Sequence, residues 1–231
     1  MARNKHPEQT VQQILNVAAQ LFTDKGFEKT SIQDIIVALG MSKGAVYHHF
    51  KSKEEILDAV MEQQFNYSAE MLDRLVSNTT ATTAREKLIQ ILEHVVSDQQ
   101  AHSLDHVLRT QIKNPVFVVR GIQQAVRIDA PVIATILREG ISDGSIHTED
   151  PDACAEVFMM LVNIWINPTL FGRNSSETKQ RLYFLQRLMN MLGADIVSES
   201  LIERILNQHA VIGAYPELED QDIGRNEGKP F

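Results

Sequence analysis

Apolar residues recur at helical spacing along almost the whole chain. Val11, Ile14, Leu15, Ala18, Leu21 and Phe22 fall at i, i+3, i+4, i+7, i+10 and i+11, one stripe of an amphipathic helix. Gly26 follows as its stop. Thr30 and Ser31 are suitable N-caps for a short second helix through Ile32, Ile35, Ile36 and Leu39, ended by Gly40. A third short helix is expected from Ser42 to about Phe50. Ser52 caps a long fourth, with Glu54 and Glu55 at the positive end of its dipole. Later helices are expected around Leu88–Val96, Leu104–Ile112, Val116–Val119, Asp129–Ile141, Ala153–Asn167, Ser176–Leu192 and Ser200–Ile212. Val116–Val119 is β-branched, but Pro115 suits a first helical position and no partner strand exists, so helix is the better reading. The class is all-α.

Other bounds narrow the setting. With Cys154 as the one cysteine, no intrachain disulfide can form. Its place beside an apolar run suits a buried small hydrophobe. The longest unbroken apolar run, Val157 to Val162, is far below the ~18 residues of a membrane span. The N-terminal stretch is polar and lacks the apolar core of a signal peptide. A soluble, cytoplasmic chain without membrane partners is expected. No Gly-rich phosphate loop, nucleophile elbow or metal signature appears, so neither an enzyme nor a bound cofactor is expected.

The formal charge of −8 argues at first against a polyanionic partner, but its distribution reverses that inference. Residues 1–53 hold seven Lys and Arg against four Asp and Glu, a balance of +3; residues 54–231 hold fifteen against twenty-six, a balance of −11. The basic part contains the two short helices joined at Gly40-Met41. Helix-turn-helix spacing alone is weak, but the second helix adds information. Ser42, Lys43, Gly44, Ala45, Tyr47 and His48 are small or hydrogen-bonding, while Val46 and Phe50 can face inward. Small residues let a helix N-terminus approach base edges in a major groove, and hydroxyl, imidazole and ammonium groups around it can hold phosphates.

These residues also resemble a known family. From Thr10 to Leu57 the chain is similar to the N-terminal domain of the TetR family of bacterial transcriptional repressors. The match runs through Ile14-Leu15, Ala18, Leu21-Phe22, Gly26-Phe27, Thr30-Ser31-Ile32 and Ile35. It continues through Leu39 to Phe50 and Lys51-Ser52-Lys53-Glu54-Glu55-Ile56-Leu57, about a fifth of the chain. The resemblance implies an all-α homodimer with three DNA-binding helices, a long fourth helix, and a larger domain holding a ligand cavity and a dimer surface. It implies base-edge approach by Lys43, Gly44 and Ala45, and phosphate contacts by Thr30, Ser42, Tyr47, His48 and Lys53. Thr30 can equally serve as an N-cap. His49 is expected to pack or be solvated, and Lys51 to be solvated. The expected division is residues 1–53 for DNA binding, 54–215 for ligand binding and dimerisation, and 216–231 as a charged, frayed tail.

The larger domain offers less specific signals. The helix Ala153–Asn167 is apolar nearly all round, as is the stretch Leu182–Leu192, so both need an apolar partner beyond one core. Val157, Leu161, Ile164, Leu185, Leu188 and Leu192 are the expected dimer residues, in a four-helix contact. Phe65, His106, Phe117, Asn163 and Trp165 are the ligand-pocket candidates; Asn163 could instead hydrogen-bond in the interface. His94, Asp98, His102 and His106 are spaced by four, but Ser97–Ser103 reads as a helix break that spoils a metal register. The sum is a ligand-responsive transcriptional repressor on a palindromic DNA operator. A helical protein-interaction module on the same scaffold is the alternative.

Overall fold

The computed structural model describes residues 7–105, 107, 109 and 115–216. Among the described residues there is no strand. The first four helices are α1 (Pro7–Lys25), α2 (Ile32–Leu39), α3 (Lys43–His49) and α4 (Lys53–Asn78). They follow the expected punctuation. Gly26 and Gly40 take left-handed φ values of 84° and 62°, which close α1 and α2 at little cost because glycine lacks a Cβ. Ser31, Ser42 and Ser52 cap α2, α3 and α4 by accepting from the backbone N–H of Asp34, Ala45 and Glu55. Thr30 does not share the capping role: it is buried, and its hydroxyl donates inward to the carbonyls of Gly26 (2.8 Å) and Leu21 (3.2 Å).

The larger domain contains α5 (Ala84–Ser97), α6 (Pro115–Gln124), α7 (Ala130–Asp143), α8 (Pro151–Met160), α9 (Pro168–Phe171), α10 (Ser175–Met191) and α11 (Glu199–Val211). Two expectations need correction here. The Val116 and Asp129 stretches are not separate helices: α6 runs into α7 through a π-helical turn, Ala125–Asp129. Pro131 explains it, since a proline two residues into α7 lacks an N–H and crowds the carbonyl four residues before it, and a wider turn relieves both. Likewise the Ala153–Asn167 run is α-helical only to Met160 and π-helical over Leu161–Trp165, before Pro168 opens a new short helix.

Two apolar cores result. One joins α5, α7, α8, α10 and α11 around Leu88, Ile91, Ile136, Leu137, Phe158, Leu182 and Leu185. The other joins α1–α3 to the first half of α4: Ile14, Ala18, Phe22, Ile35, Val46, Phe50, Ile56, Leu57, Val60 and Met61. The division drawn at Lys53 therefore cuts through this second core. Leu104 and Val107 also belong to it, with Phe117 packed against it, so part of the larger domain seals the N-terminal unit.

The turn after α5 ties the two cores together. From α4, Gln64 donates its amide to the carbonyls of Gln100 (3.0 Å) and Ala101 (2.7 Å), and the Tyr67 hydroxyl reaches Asp98 at 3.4 Å. Asp98 also caps the turn through the Ala101 N–H at 2.7 Å. His102 sits between Asp105 (2.7 Å) and the Val95 carbonyl (3.1 Å), so it and Asp98 are committed to protein partners. His106 lies outside the described residues. From α11, Gln208 reaches Asp105 at 3.3 Å, and the adjacent His209 has a buried Nδ1 without a hydrogen-bond partner among the described residues.

The two described histidines of this junction titrate in opposite senses. Burial lowers His102, but its bond to Asp105, that carboxylate's charge, the Val95 carbonyl and Asp98 outweigh it, and the net shift is upward. Burial pushes His209 down to about 4. A raised histidine stabilises the fold below its unfolded pKa and loses that contribution as pH rises. A buried neutral one contributes above its unfolded pKa and costs stability as pH falls. Between pH 6.5 and about 4 the unfolded chain therefore takes up a proton that folded His209 does not. The expected loss is at most about 3 kcal/mol. Urea denaturation of the parent and His209→Gln at pH 7.5, 6 and 5 checks it: the difference between them should shrink steadily toward pH 5.

Candidate nucleic-acid interface

The N-terminal core fixes how α3 is presented. Val46 is fully buried and Phe50 nearly so, and together they pin one side of the helix against α1 and α2. The opposite side is open. Ser42, Lys43, Gly44 and His48 are exposed, Ala45 and Tyr47 half-buried. The Lys43 ammonium lies 5.4 Å from the centre of the Tyr47 ring, one turn on, which orients both side chains on the same outward face. The His48 and His49 rings meet edge to face at 5.0 Å.

Gly44 is informative because nothing in the fold requires it. Its φ is not left-handed, and a Cβ added there would meet no heavy atom within 4 Å. A glycine in a helix costs roughly 0.5–1 kcal/mol relative to alanine. Here that cost gains no internal packing, and an open space above a helix N-terminus is what a close-approaching external surface would use.

Beside α3 lies a shallow cleft of about 360 Å³ formed by Glu28, Lys29, Thr30, Ser31, Ile32, Tyr47, Lys51, Ser52 and Lys53. It brings together the N-termini of α2 and α4, whose dipoles favour an anion, with three lysines and a phenol. The lysines are not equivalent. Lys53 donates to the Phe27 carbonyl at 2.8 Å and sits 4.2 Å over the Phe27 ring, so its ammonium holds the α1–α2 loop while still edging the cleft. Lys51 donates to the Tyr47 carbonyl at 2.8 Å, closing the C-terminus of α3. Asp34 completes a capping box with Ser31; that hydroxyl, then the Ser31 N–H, hold its carboxyl below the usual carboxylate range.

The structure thus gathers Ser42, Lys43, Gly44, Ala45, Tyr47 and His48 on one face, with Lys53 at its edge. Thr30 is the exception: it is only 1% exposed and its hydroxyl is spent internally, so it offers no side chain to a phosphate. Ser31, one residue on, is exposed, but its hydroxyl is engaged too: it donates to the Asp34 carboxylate at 2.5 Å and accepts from the Asp34 N–H. The capping-box spacing Ser31-x-x-Asp34 was the signal that could have distinguished them. Lys29 and Lys51 were also missed, because their position around the cleft depends on the α2–α4 juxtaposition.

The ligand candidates do not converge. Phe65 and Phe117 both pack against the N-terminal core, and Phe65 also lines a second cleft between α4 and α6, away from the other candidates. Trp165 packs on the larger core, 5.7 Å from the Phe184 ring. Asn163 is exposed and donates back to the Met159 carbonyl, as a polar residue on an outer face can. Of the dimer candidates, Val157 and Leu192 are exposed and Leu161, Ile164 and Leu188 half-buried on α8, its π turn and α10. Leu185 is corrected: it is fully buried in the protomer's own core. Phe184 and Met191 face outward instead, 48% and 83% exposed.

Comparison with known proteins agrees with this geometry. Residues 14–60 match the sequence profile of bacterial regulatory proteins of the tetR family. The HTH-type transcriptional repressor KstR2 of Mycolicibacterium smegmatis is 28% identical over 149 residues, 59% of this chain and 67% of that protein. The HTH-type transcriptional regulator AcrR of Shigella flexneri is 31% identical over 113 residues, 47% of this chain and 53% of that one. In overall fold, a transcriptional regulator from Cytophaga hutchinsonii superposes with a TM-score of 0.61 at 18% identity, covering 89% of this chain and 96% of the other. Residues 14–60 thus match the helix-turn-helix unit of bacterial regulatory proteins of the tetR family, and the chain as a whole shares the helical fold of the Cytophaga hutchinsonii regulator.

Proposed function

We propose that this chain is a ligand-responsive transcriptional repressor that binds a palindromic operator as a homodimer. The observation that carries the DNA reading is the outward face of α3, small and cationic around a Gly44 that no internal contact requires. Lys43, Gly44 and Ala45 approach base edges. Ser42, Tyr47, His48 and the lysines of the adjoining cleft hold phosphates, which fix register rather than sequence. The similar proteins KstR2, a transcriptional repressor, and AcrR, a transcriptional regulator, favour the same role.

The dimer reading rests on the face formed by Val157, Leu161, Ile164, Phe184, Leu188, Met191 and Leu192. These residues recur at helical spacing along α8, its π turn and the end of α10, and Val157, Phe184, Met191 and Leu192 are exposed in a single copy. A two-fold axis there sets two copies of α3 in successive major grooves, ~34–36 Å apart. An effector that favours a different separation of the two heads releases DNA by population shift; ~100-fold preference for that state is worth about 2.7 kcal/mol.

Selection of duplexes from a random pool by the full-length protein tests the whole reading. An inverted repeat with half-sites one helical turn apart should be enriched, and affinity should fall steeply with salt. No enriched sequence and a flat salt response would overturn it in favour of a protein-interaction module. Gly44→Leu separates reading from folding. The variant should be as stable as the parent or up to about 1 kcal/mol more so, because a helical glycine is removed and the new side chain enters open space. On the selected duplex it should bind at least ~10-fold more weakly, and normal affinity would reject the assigned face.

A further inference from the structure

The second cleft, about 430 Å³ between α4 and the α6–π turn, has walls of opposite character. From α4 come Asp58 and Glu62, one turn apart, with Asn66 beyond them and Met61 and Phe65 at the base. From the other side come Arg120 and Arg127, with Gln123, Gln124 and Ile128. The walls are only partly joined. Arg120 reaches Asp58 at 3.1 Å, whereas Glu62 and Arg127 make no ion pair with any described residue. Arg127 and Ile128 sit on the widened turn Ala125–Asp129, and Ile128 is 50% exposed beside the cleft, an apolar side chain left without cover. Helical turns of this kind recur at functional sites.

This arrangement discriminates between ligand charges. A neutral apolar molecule would desolvate Glu62 and Arg127 without replacing their water. A simple anion would satisfy Arg127 but face two carboxylates, and a simple cation the reverse. A molecule with one charge of each sign and an apolar body meets every wall. We propose that this cleft is an effector site and that its ligand is an amphipathic zwitterion: the anionic group on Arg127, the cationic group on Glu62, the apolar body over Met61, Phe65 and Ile128. The assignment rests on the reading of the chain as ligand-responsive. Its lever is α4, because a ligand bridging α4 and α6 bears on the helix whose first turns, with Ile56 and Leu57, are part of the N-terminal core.

Four fluorescent probes sharing one apolar body test it on the full-length protein. They are ε-dansyl-lysine (zwitterion), dansylglycine (anion), dansylcadaverine (cation) and dansylamide (neutral). Titration by emission should rank ε-dansyl-lysine tightest. Arg127→Gln and Glu62→Gln should each weaken it by about fivefold, the scale of one exposed ion pair, and leave dansylamide unchanged. Both positions are exposed, so the variants should keep the parent's thermal unfolding curve. Equal affinity for all four probes, no binding, or no effect of either substitution overturns the site. Operator retention is read separately, with ε-dansyl-lysine bound. Charge-dependent binding that leaves the operator held supports the site and rejects the effector reading; probe failure rejects the site alone.

Discussion

The N-terminal unit cannot close its own core, and much of the molecule follows from that. The helices α2 and α3 are eight and seven residues long, too short to persist in water without tertiary packing. Their apolar residues, Ile35, Ile36, Val46 and Phe50, find cover only against α1 and the first half of α4. Each fully buried side chain of this size contributes about 1.5–3 kcal/mol, which outweighs the propensity of any one short helix. The orientation of α3 is therefore set by the same contacts that make it helical.

Because α4 is both the fourth wall of that core and the connection to the larger domain, the two units share a rigid part. Its start, at Ile56, Leu57 and Val60, is locked into the N-terminal core, and its later turns reach the larger one through Leu72. Between these anchors the connections are mixed: Gln64 to two carbonyls and Arg120 to Asp58 are polar, while Leu104, Val107 and Phe117 add apolar contact to the N-terminal core. An exposed ion pair is worth about 1 kcal/mol or less. The Arg120–Asp58 pair is therefore the weakest of these links, whereas the apolar contacts that hold α3 are buried. On the proposed reading, the head moves as a body and the base-reading face is not remodelled.

What was legible in the sequence divides along the same line. Helix ends were legible because their causes are local: Gly26 and Gly40 for left-handed stops, Ser31 and Ser52 for caps, Pro115 for a start. The α3 face was legible because its residue types are unusual for a buried helix. The π turns were not, since they answer a steric conflict at Pro131 or a packing demand that only the surrounding helices impose. Thr30 and Ser31 both suit an N-cap; the Ser31-x-x-Asp34 spacing favours Ser31 as the cap, but only the α1–α2 loop shows that the Thr30 hydroxyl turns inward. Leu185 and Phe184 are adjacent on a helix apolar nearly all round, so periodicity could not say which faces the core. The ligand candidates scattered because an aromatic at helical spacing is as useful to a core as to a cavity.

Charge and packing together separate two kinds of residue around α3. Thr30 and Lys53 are polar, yet their donors are spent on the carbonyls of Gly26 and Phe27, so removing them disturbs the scaffold first. Ser42 is half scaffold, since its hydroxyl accepts from Ala45. Lys43, Gly44 and His48 make no contact that the core depends on, so their identity is free to serve an external surface. The excess of +3 over residues 1–53 is small for long-range attraction to a polyanion, and the −11 elsewhere opposes it. A head with so little net charge has to derive selectivity from close fit. Close fit is the property that a rigidly held helix with a bare glycine at its exposed start can supply.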